Sequence, residues 1–403
     1  MSQYDIIIVG AGIVGATAAL ALTKKTFLKI ALLDSKTLAG TWNTSQAEER
    51  VSAVTLASQR IFQRLQVWDA IIAKRISPYK KMHVWDANGD GEIIFDCAKL
   101  NTSALGYIIE DAVMRHALLE ALRAEKNIQT LAPVELLSLQ DTASGYELTT
   151  AQHGVLKAKL IIAADGANSW LRDAANISLK TRAYDHDAIV ATVTTTAPHA
   201  QTARQRFLAS GPLAFLPLSD PHVSSIVWSA TPALAQDLLQ CDDENFKLRL
   251  ASALGGELGD IKAVSNRQSF SLQMRHAQQY VKAGLALIGD AAHTLHPLAG
   301  QGVNLGLLDA VALADVIASA CEKHRDYASF SNLRRYERWR KGDNMAMLAF
   351  VAMIKNLFAS DAKSVKVLRN AGLNLTNKTD FVKKFFAEYA AGNRNDLPEL
   401  ARV

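Results

Sequence analysis

The first thirty-four residues limit what this chain can fold into more than any other stretch. Ile6-Ile7-Ile8-Val9 is an uninterrupted apolar run of the kind buried on both faces in a parallel sheet. It leads directly into Gly10-Ala11-Gly12-Ile13-Val14-Gly15, and a helix-forming stretch follows from Ala16 to Leu22. A second apolar run, Ile30 to Leu33, ends at Asp34, nineteen residues beyond Gly15. Strand, glycine turn, helix, strand and acid in this order predict a unit that holds a dinucleotide. Gly10 permits the tight turn, Gly12 lets backbone approach a pyrophosphate, and Gly15 lets helix and strand pack closely. The helix N-terminus offers unpaired N–H groups to the phosphates. Asp34, at a strand end, is placed to accept from both hydroxyls of a ribose.

Two more glycine-containing turns lie far along the chain. Asp165-Gly166 follows the strand-like stretch Leu160 to Ala164, and Gly289-Asp290 follows Ala286-Leu287-Ile288. The second leads through His296-Pro297-Leu298-Ala299-Gly300-Gln301-Gly302 into a helical stretch that reaches Ala320.

Between these islands the pattern changes. Val51 to Leu65 reads as helix, and Asp111 to Ala124 as an amphipathic helix with Val113, Ala117, Leu118, Ala121 and Leu122 on one face. Alternating residues around Asn88-Gly89-Asp90-Gly91 predict a hairpin. From about Arg182 to Phe270, short strands separated by Pro, Gly and Asp turns predict a mostly antiparallel sheet inserted into the first domain. The expected fold class is therefore α/β, a Rossmann-like dinucleotide-binding domain with an inserted antiparallel substrate domain and a helical C-terminus. The expected boundaries are 1–75, 97–181 and 271–326 for the first domain, 76–96 and 182–270 for the second, and 327–403 for the helical region.

At 403 residues and 49% hydrophobic, the chain has enough apolar material for two or more domains. No uninterrupted apolar run approaches the roughly 18 residues of a membrane-spanning helix, and Asp5 to Val9 reads as a strand rather than a signal peptide. Cys97, Cys241 and Cys321 are too scattered for a zinc pattern or a disulfide framework. The expectation is a soluble cytoplasmic protein. The net charge of +5 is uneven: Glu322 to Val403 holds 16 Lys+Arg against 9 Asp+Glu. That basic segment is either a solvated helical surface or a surface for an anionic membrane or acidic partner. No motif points to nucleic acid. No GxSxG elbow or cysteine–histidine arrangement points to a hydrolase, and no cluster has metal-ligand spacing.

Asp165-Gly166-Ala167-Asn168-Ser169-Trp170-Leu171-Arg172 resembles the DG fingerprint of aromatic-ring flavoprotein hydroxylases, and Gly289-Asp290-Ala291-Ala292-His293 resembles their GD fingerprint. The stretch from His296 to Asp309 is similar to the signature of the ubiquinone-biosynthesis hydroxylases. The likeness extends to Arg50-Val51-Ser52-Ala53 and Asn395-Asp396-Leu397-Pro398. Pro217-Leu218-Ser219-Asp220-Pro221-His222 and Ile226-Val227-Trp228-Ser229 place it nearest the bacterial 2-polyprenylphenol 6-hydroxylase subgroup.

The resemblance implies a para-hydroxybenzoate-hydroxylase-like fold, FAD as resident cofactor and NAD(P)H as electron donor. It implies hydroxylation of a polyprenylphenol by O2 through a flavin C4a-hydroperoxide, at C5 or at another ring position, with partners in a ubiquinone-biosynthesis assembly. A flavin oxidoreductase that inserts no oxygen is the alternative. A halogenase is disfavoured because no WxWxIP pattern occurs among the tryptophans.

On this reading Gly10, Gly12, Gly15 and Asp34 hold the nucleotide, and Asp290 accepts from ribityl or ribose hydroxyls. Pro297, Gly300, Gln301, Gly302 and Val303 border the isoalloxazine, with the dipole of the following helix stabilising the reduced ring. Asn304 either contacts the flavin or caps that helix. Arg50 reaches the pyrophosphate or ring region, or forms a surface salt bridge. Asp165 and Arg172 bind the dinucleotide or hold their own turn together. His293 and His296 act as a base toward a phenol or serve structure and gating. Near the end, Phe381, Val382, Phe385, Phe386 and Tyr389 make one apolar helical face, for a membrane, a partner, the core or a second copy in a homo-oligomer.

Overall fold

The structure, a computed structural model, describes residues 2–38, 50–294, 302–359 and 396–403, with Asn370, Gly372 and Asn377 described singly. Pro297, Gly300, Gln301, His296 and the apolar face from Phe381 to Tyr389 lie outside the described residues.

An eight-stranded sheet forms around the strand Ser2–Val9, which pairs in parallel with Ile30–Leu33 on one side and Gly154–Ala163 on the other. Ile128–Leu131 and Leu285–Leu287 extend it in parallel at either side. Ile6, Ile7 and Ile8 are wholly buried, as expected of a strand covered on both faces. The helix Ile13–Lys25 crosses between the first two strands and packs along a second helix, Gly302–Glu322. Ala16, Ala18 and Ala19 on the first helix and Ala310, Ala312 and Ala314 on the second are buried. Such small side chains permit close approach of the two helices.

Helix Gly302–Glu322 is long and apolar enough to cross a membrane by length and composition, yet 78% of its apolar window is buried inside the protein. It is the core helix of this domain. Counting uninterrupted apolar runs misses it because Asn304, Asp309 and Asp315 punctuate it.

A nine-stranded, mostly antiparallel sheet contains Leu179–Thr195 paired with Val223–Ala230 and Gln268–Ala277, and ends in the hairpin Lys81–Asp86 with Glu92–Asp96. Alternation along its strands gives it two faces. Ile189, Ala191, Val193, Phe215, Ile226 and Trp228 turn to one side, where they pack with Leu238, Phe246 and Leu250. These last three come from helices Pro232–Gln240 and Asp243–Leu254, which the turn-rich sequence did not foretell. The opposite face carries Tyr184, Ala188, Leu272, Val227 and Met274.

Two expectations are corrected. Val51 to Leu65 is not one helix: Val51–Thr55 is a strand paired with Gly106–Glu110, and the helix is Leu56–Arg64. β-Branched Val51, Val54 and Thr55 suit the extended conformation, and Thr55 Oγ1 then caps the helix by accepting from Ser58 N at 3.3 Å. Strand Ile76–Tyr79, grouped by sequence with the substrate segment, pairs instead with Gly106–Glu110 in a small three-stranded sheet.

From Phe330 to Ala359 runs a long helix. It begins against the eight-stranded sheet, and its far end packs Phe358 on Phe207 of the nine-stranded sheet, ring centroids 3.7 Å apart. The basic composition of this region does not make it all surface, because Arg340 is wholly buried.

Phe246 is fully buried beneath the nine-stranded sheet. Phe246→Ala should cost about 3–5 kcal/mol of stability through the cavity it leaves, measured by urea unfolding. A loss below about 1 kcal/mol would show that the two helices do not form this core.

Candidate active site

The first glycine turn separates into two structural roles. Gly10 has φ +102°, and a Cβ there would fall 2.3 Å from Ala164 O; a Cβ on Gly15 would fall 1.8 Å from Gly10 O. Both positions are thus dictated by packing of strand, helix and the Asp165 turn. Gly12 is different. It precedes helix Ile13–Lys25 with no side chain capping the first turn, and a Cβ there would meet nothing within 4 Å. Open space therefore faces a helix N-terminus with uncapped N–H groups, the geometry that accepts a phosphate.

Asp34 closes one side of this turn. Its Oδ2 accepts from Ala11 N at 2.9 Å and its Oδ1 from Lys36 N at 2.8 Å. Each carboxylate oxygen retains acceptor capacity for a hydroxyl. Arg115, unmarked by the sequence analysis, donates from Nε to Ala11 O at 3.2 Å and stands 4.0 Å from Asp34 Oδ2. Its signal was faint: a lone arginine in an otherwise ordinary amphipathic helix.

The distant glycine islands meet at Val14. A Cβ on Gly289 would lie 3.1 Å from Val14 Cγ1, and one on Gly306 would lie 2.6 Å from Val14 Cγ2. The first glycine turn, the Gly289-Asp290 turn and the start of the core helix therefore border one space. Gly302 and Val303 open that helix, and a Cβ on Gly302 would meet no atom within 4 Å.

At this junction the Asp290 carboxylate accepts no hydrogen bond among the described residues. Burial pushes its pKa up, while His293 and then Arg50 pull it down. A half-buried carboxylate without a protein donor is suited to hydroxyl donors from a ligand.

Other residues are turned inward. Asn304, 2% exposed, accepts on Oδ1 from Thr55 N at 3.0 Å and Ser58 Oγ at 2.7 Å, and donates from Nδ2 to Ala53 O at 2.8 Å. It clasps the core helix to the Val51–Thr55 strand and to Ser58 in the helix that follows. Arg50 is 82% exposed and pairs through Nε with Asp111 Oδ2 at 2.9 Å. This is its surface-salt-bridge alternative, within electrostatic range of Asp290. Asp165 Oδ2 accepts from Leu171 N at 3.1 Å, and burial raises its pKa against hydrogen bonds from Ser169 and the turn backbone. Arg172 donates to Ala167 O at 3.0 Å and Ala291 O at 3.4 Å, so it ties the Asp165 turn to the Asp290 turn.

His293 does have an acidic partner, which spacing alone could not assign. Its Nε2 lies 2.5 Å from Asp309 Oδ2, and the two side chains are 1% and 0% exposed. The same oxygen accepts from Gly289 N at 3.2 Å. Burial alone would raise the pKa of Asp309, but His293 and Arg340 outweigh it and hold Asp309 down to about 2. Nearby, burial, then His293, Lys341 and Lys180, lower His276 to about 4. No group of three or more His, Cys, Asp or Glu among the described residues is placed to hold a metal.

A glycine turn before an open helix end, an acid at the second turn with no hydrogen bond among the described residues and the converging start of the core helix define a dinucleotide-binding flavoprotein site. The residues present fit FAD. A family model described as a FAD binding domain matches residues 3–351. The chain is 35% identical over 388 residues to the 3-demethoxyubiquinol 3-hydroxylase of Escherichia coli (strain K12), spanning 96% of this chain and 98% of that one. It is 34% identical over 439 residues to the ubiquinone biosynthesis monooxygenase COQ6, mitochondrial, of Rattus norvegicus, spanning 97% and 91%. Its fold is similar to p-nitrophenol 4-monooxygenase PnpA from Pseudomonas putida DLL-E4, with a TM-score of 0.77 at 18% identity over 98% of this chain and 100% of that one. It is also similar to the flavin-dependent monooxygenase PieE, solved with FAD and substrate, with a TM-score of 0.70 at 16% identity over 97% and 71%. The chain belongs to the FAD-binding-domain family of flavoproteins, among its ubiquinone hydroxylases, and is a FAD-dependent monooxygenase.

Gly12→Asp should leave the apoprotein folded with near-wild-type Tm but weaken FAD binding at least tenfold, since only ligand space is filled and a negative charge faces the phosphates. Gly15→Ala should instead prevent stable folding. Equal FAD affinity in Gly12→Asp would refute the phosphate role.

The His276 imidazole gives a pH signature. Its folded value lies below the ordinary histidine value of 6.5. The unfolded chain therefore binds more protons between about pH 6.5 and 4, and stability falls as pH falls through that window. His276→Gln should flatten this limb by about 1–2 kcal/mol, less than the full shift because the surroundings of a buried ring relax when it takes up a proton. An unchanged limb in urea titrations would contradict the assignment.

Proposed function

We propose that this monooxygenase hydroxylates the aromatic ring of a polyprenylphenol intermediate in ubiquinone biosynthesis, with NAD(P)H as electron donor and O2 as co-substrate. The carrying observation is the meeting of three distant stretches at Val14, where the Asp290 carboxylate accepts no hydrogen bond among the described residues. Relatives at 34–35% identity over nearly the whole chain that are named for ubiquinone chemistry support the substrate class.

In this reading the open N-terminus of helix Ile13–Lys25, beside Gly12, binds the pyrophosphate, and Asp34 holds the ribose. Asp290 accepts from the ribityl hydroxyls. The N-terminal end of the core helix at Gly302 stabilises negative charge on the ring system. When bound, reduced FAD supplies the activated oxygen, so the side chains have no demanding bond to break. Their work is to bind, to orient the substrate and to exclude water.

The apolar face of the nine-stranded sheet, with Tyr184, Ala188, Leu272, Val227 and Met274, suits an aromatic ring and the start of an isoprenoid tail. Resemblance at Pro217 to His222 favours the C5 position, the 2-polyprenylphenol 6-hydroxylase step. In the fold these residues form a hairpin turn in which His199 Nε2 bonds to Leu218 O at 3.0 Å and Asp220 O at 2.9 Å. They therefore mark a scaffold corner.

Cells lacking the gene should accumulate a polyprenylphenol one hydroxyl short at C5. The purified protein should be yellow and incorporate one isotopic oxygen atom from O2 into that compound. An oxidised product that carries no oxygen from O2 would replace this reading with a flavin oxidoreductase.

A further inference from the structure

The long helix Phe330–Ala359 carries none of the glycine fingerprints, yet one of its faces closes over the back of the Gly289-Asp290 turn. Tyr336 Oη donates to Leu287 O at 2.8 Å, on the strand that enters the turn. Glu337 Oε1 accepts from Tyr280 N at 2.8 Å. One turn on, Arg340 Nε donates to Asp309 Oδ1 at 2.9 Å, and Asn344 Nδ2 donates to the same oxygen at 3.1 Å. Arg340 Nη2 also donates to Asn344 Oδ1 at 3.1 Å. Positions 336, 337, 340 and 344 share one side of a helix. They form a brace.

Asp309 is the member that faces the cofactor side. Its Oδ1 receives the two long-helix donors, and its Oδ2 receives Gly289 N and lies against His293 Nε2. Asp309 and Arg340 are both 0% exposed. Without Arg340, Asp309 keeps His293 but loses the guanidinium on Oδ1. A buried carboxylate that loses charge support binds a proton more readily, and a protonated carboxyl turns one acceptor oxygen into a donor. Gly289 N–H and His293 would then compete for the acceptor that remains. Asp290 follows Gly289 directly, so its direction depends on how that backbone N–H is held.

We propose that Arg340, together with Asn344, is a positioning residue for FAD binding: it keeps both oxygens of Asp309 as acceptors, and Asp309 fixes Gly289 and His293 so that the Asp290 carboxylate meets the cofactor's hydroxyls. The proposal rests on FAD as resident cofactor and not on the identity of the ring substrate.

The test compares wild type, Arg340→Met, Arg340→Lys, Asn344→Ala and the double variant Arg340→Met/Asp309→Asn, with exposed Arg338→Gln as control. Each apoprotein is titrated with FAD by flavin fluorescence well below its own Tm, and the visible flavin spectrum is recorded. Arg340→Met should weaken FAD binding on the order of tenfold or more, the size of loss seen when a partner one layer behind a metal ligand is removed. Arg340→Lys should rescue part of that loss, and Arg338→Gln should match wild type. The double variant removes the buried carboxylate charge that has lost its guanidinium, so its Tm should recover while FAD affinity stays low. If Arg340→Met does not fold, Asn344→Ala decides, with an expected loss of roughly threefold and a shifted flavin band. Wild-type affinity in the folded Arg340→Met protein overturns the proposal. So does affinity that simply recovers with Tm in the double variant, or wild-type affinity and spectrum in Asn344→Ala where that variant decides. Failure of wild type itself to bind FAD would strike the cofactor reading instead.

Discussion

The whole site depends on how closely the first helix can approach its neighbours. Gly15 sits where a Cβ would be 1.8 Å from Gly10 O, and Val14 then lies against both Gly289 and Gly306. One methyl group in the wrong place would push the first helix away from the strand and from the core helix. Because all three glycine-bearing stretches are gathered around that contact, the sheet positions the first glycine turn, the Gly289-Asp290 turn and the start of the core helix with one packing decision.

Much of this arrangement could be read from residues alone because it rests on local rules. The apolar run Ile6 to Val9, the spacing of Gly10, Gly12 and Gly15, and Asp34 at a strand end each have a short-range cause. The turn-rich segment likewise announced an antiparallel sheet. Long-range causes stayed hidden. Nothing near Asn304 in sequence says that its amide will clasp Ala53, Thr55 and Ser58 across the domain. Val51 to Thr55 passed for helix because its strand partner, Gly106–Glu110, lies fifty residues away. Helices Pro232–Gln240 and Asp243–Leu254 were overlooked because the surrounding turn signals dominated their short apolar spacing.

Arg340 shows the same limit in electrostatic form. In a basic stretch, arginine is ordinarily solvated, and composition alone assigns it to the surface. In the fold it is wholly buried beside Asp309. A buried pair of this kind contributes little net stability over an apolar substitute, but loss of one member leaves a costly charge. Its place beside the Gly289-Asp290 turn is better explained by geometry at that turn. The long helix also reaches the nine-stranded sheet through Phe358 on Phe207, so one element contacts both the Gly289-Asp290 turn's sheet and the nine-stranded sheet.

The central claim is that residues 10–15, 289–291 and 302–306 form a single FAD cradle. Hydrogen exchange with and without FAD tests it most directly, read amide by amide. The account predicts that FAD slows exchange at all three stretches together, with the same dependence on FAD concentration. Protection confined to the first glycine turn, or saturating at different FAD concentrations in the three stretches, would contradict it.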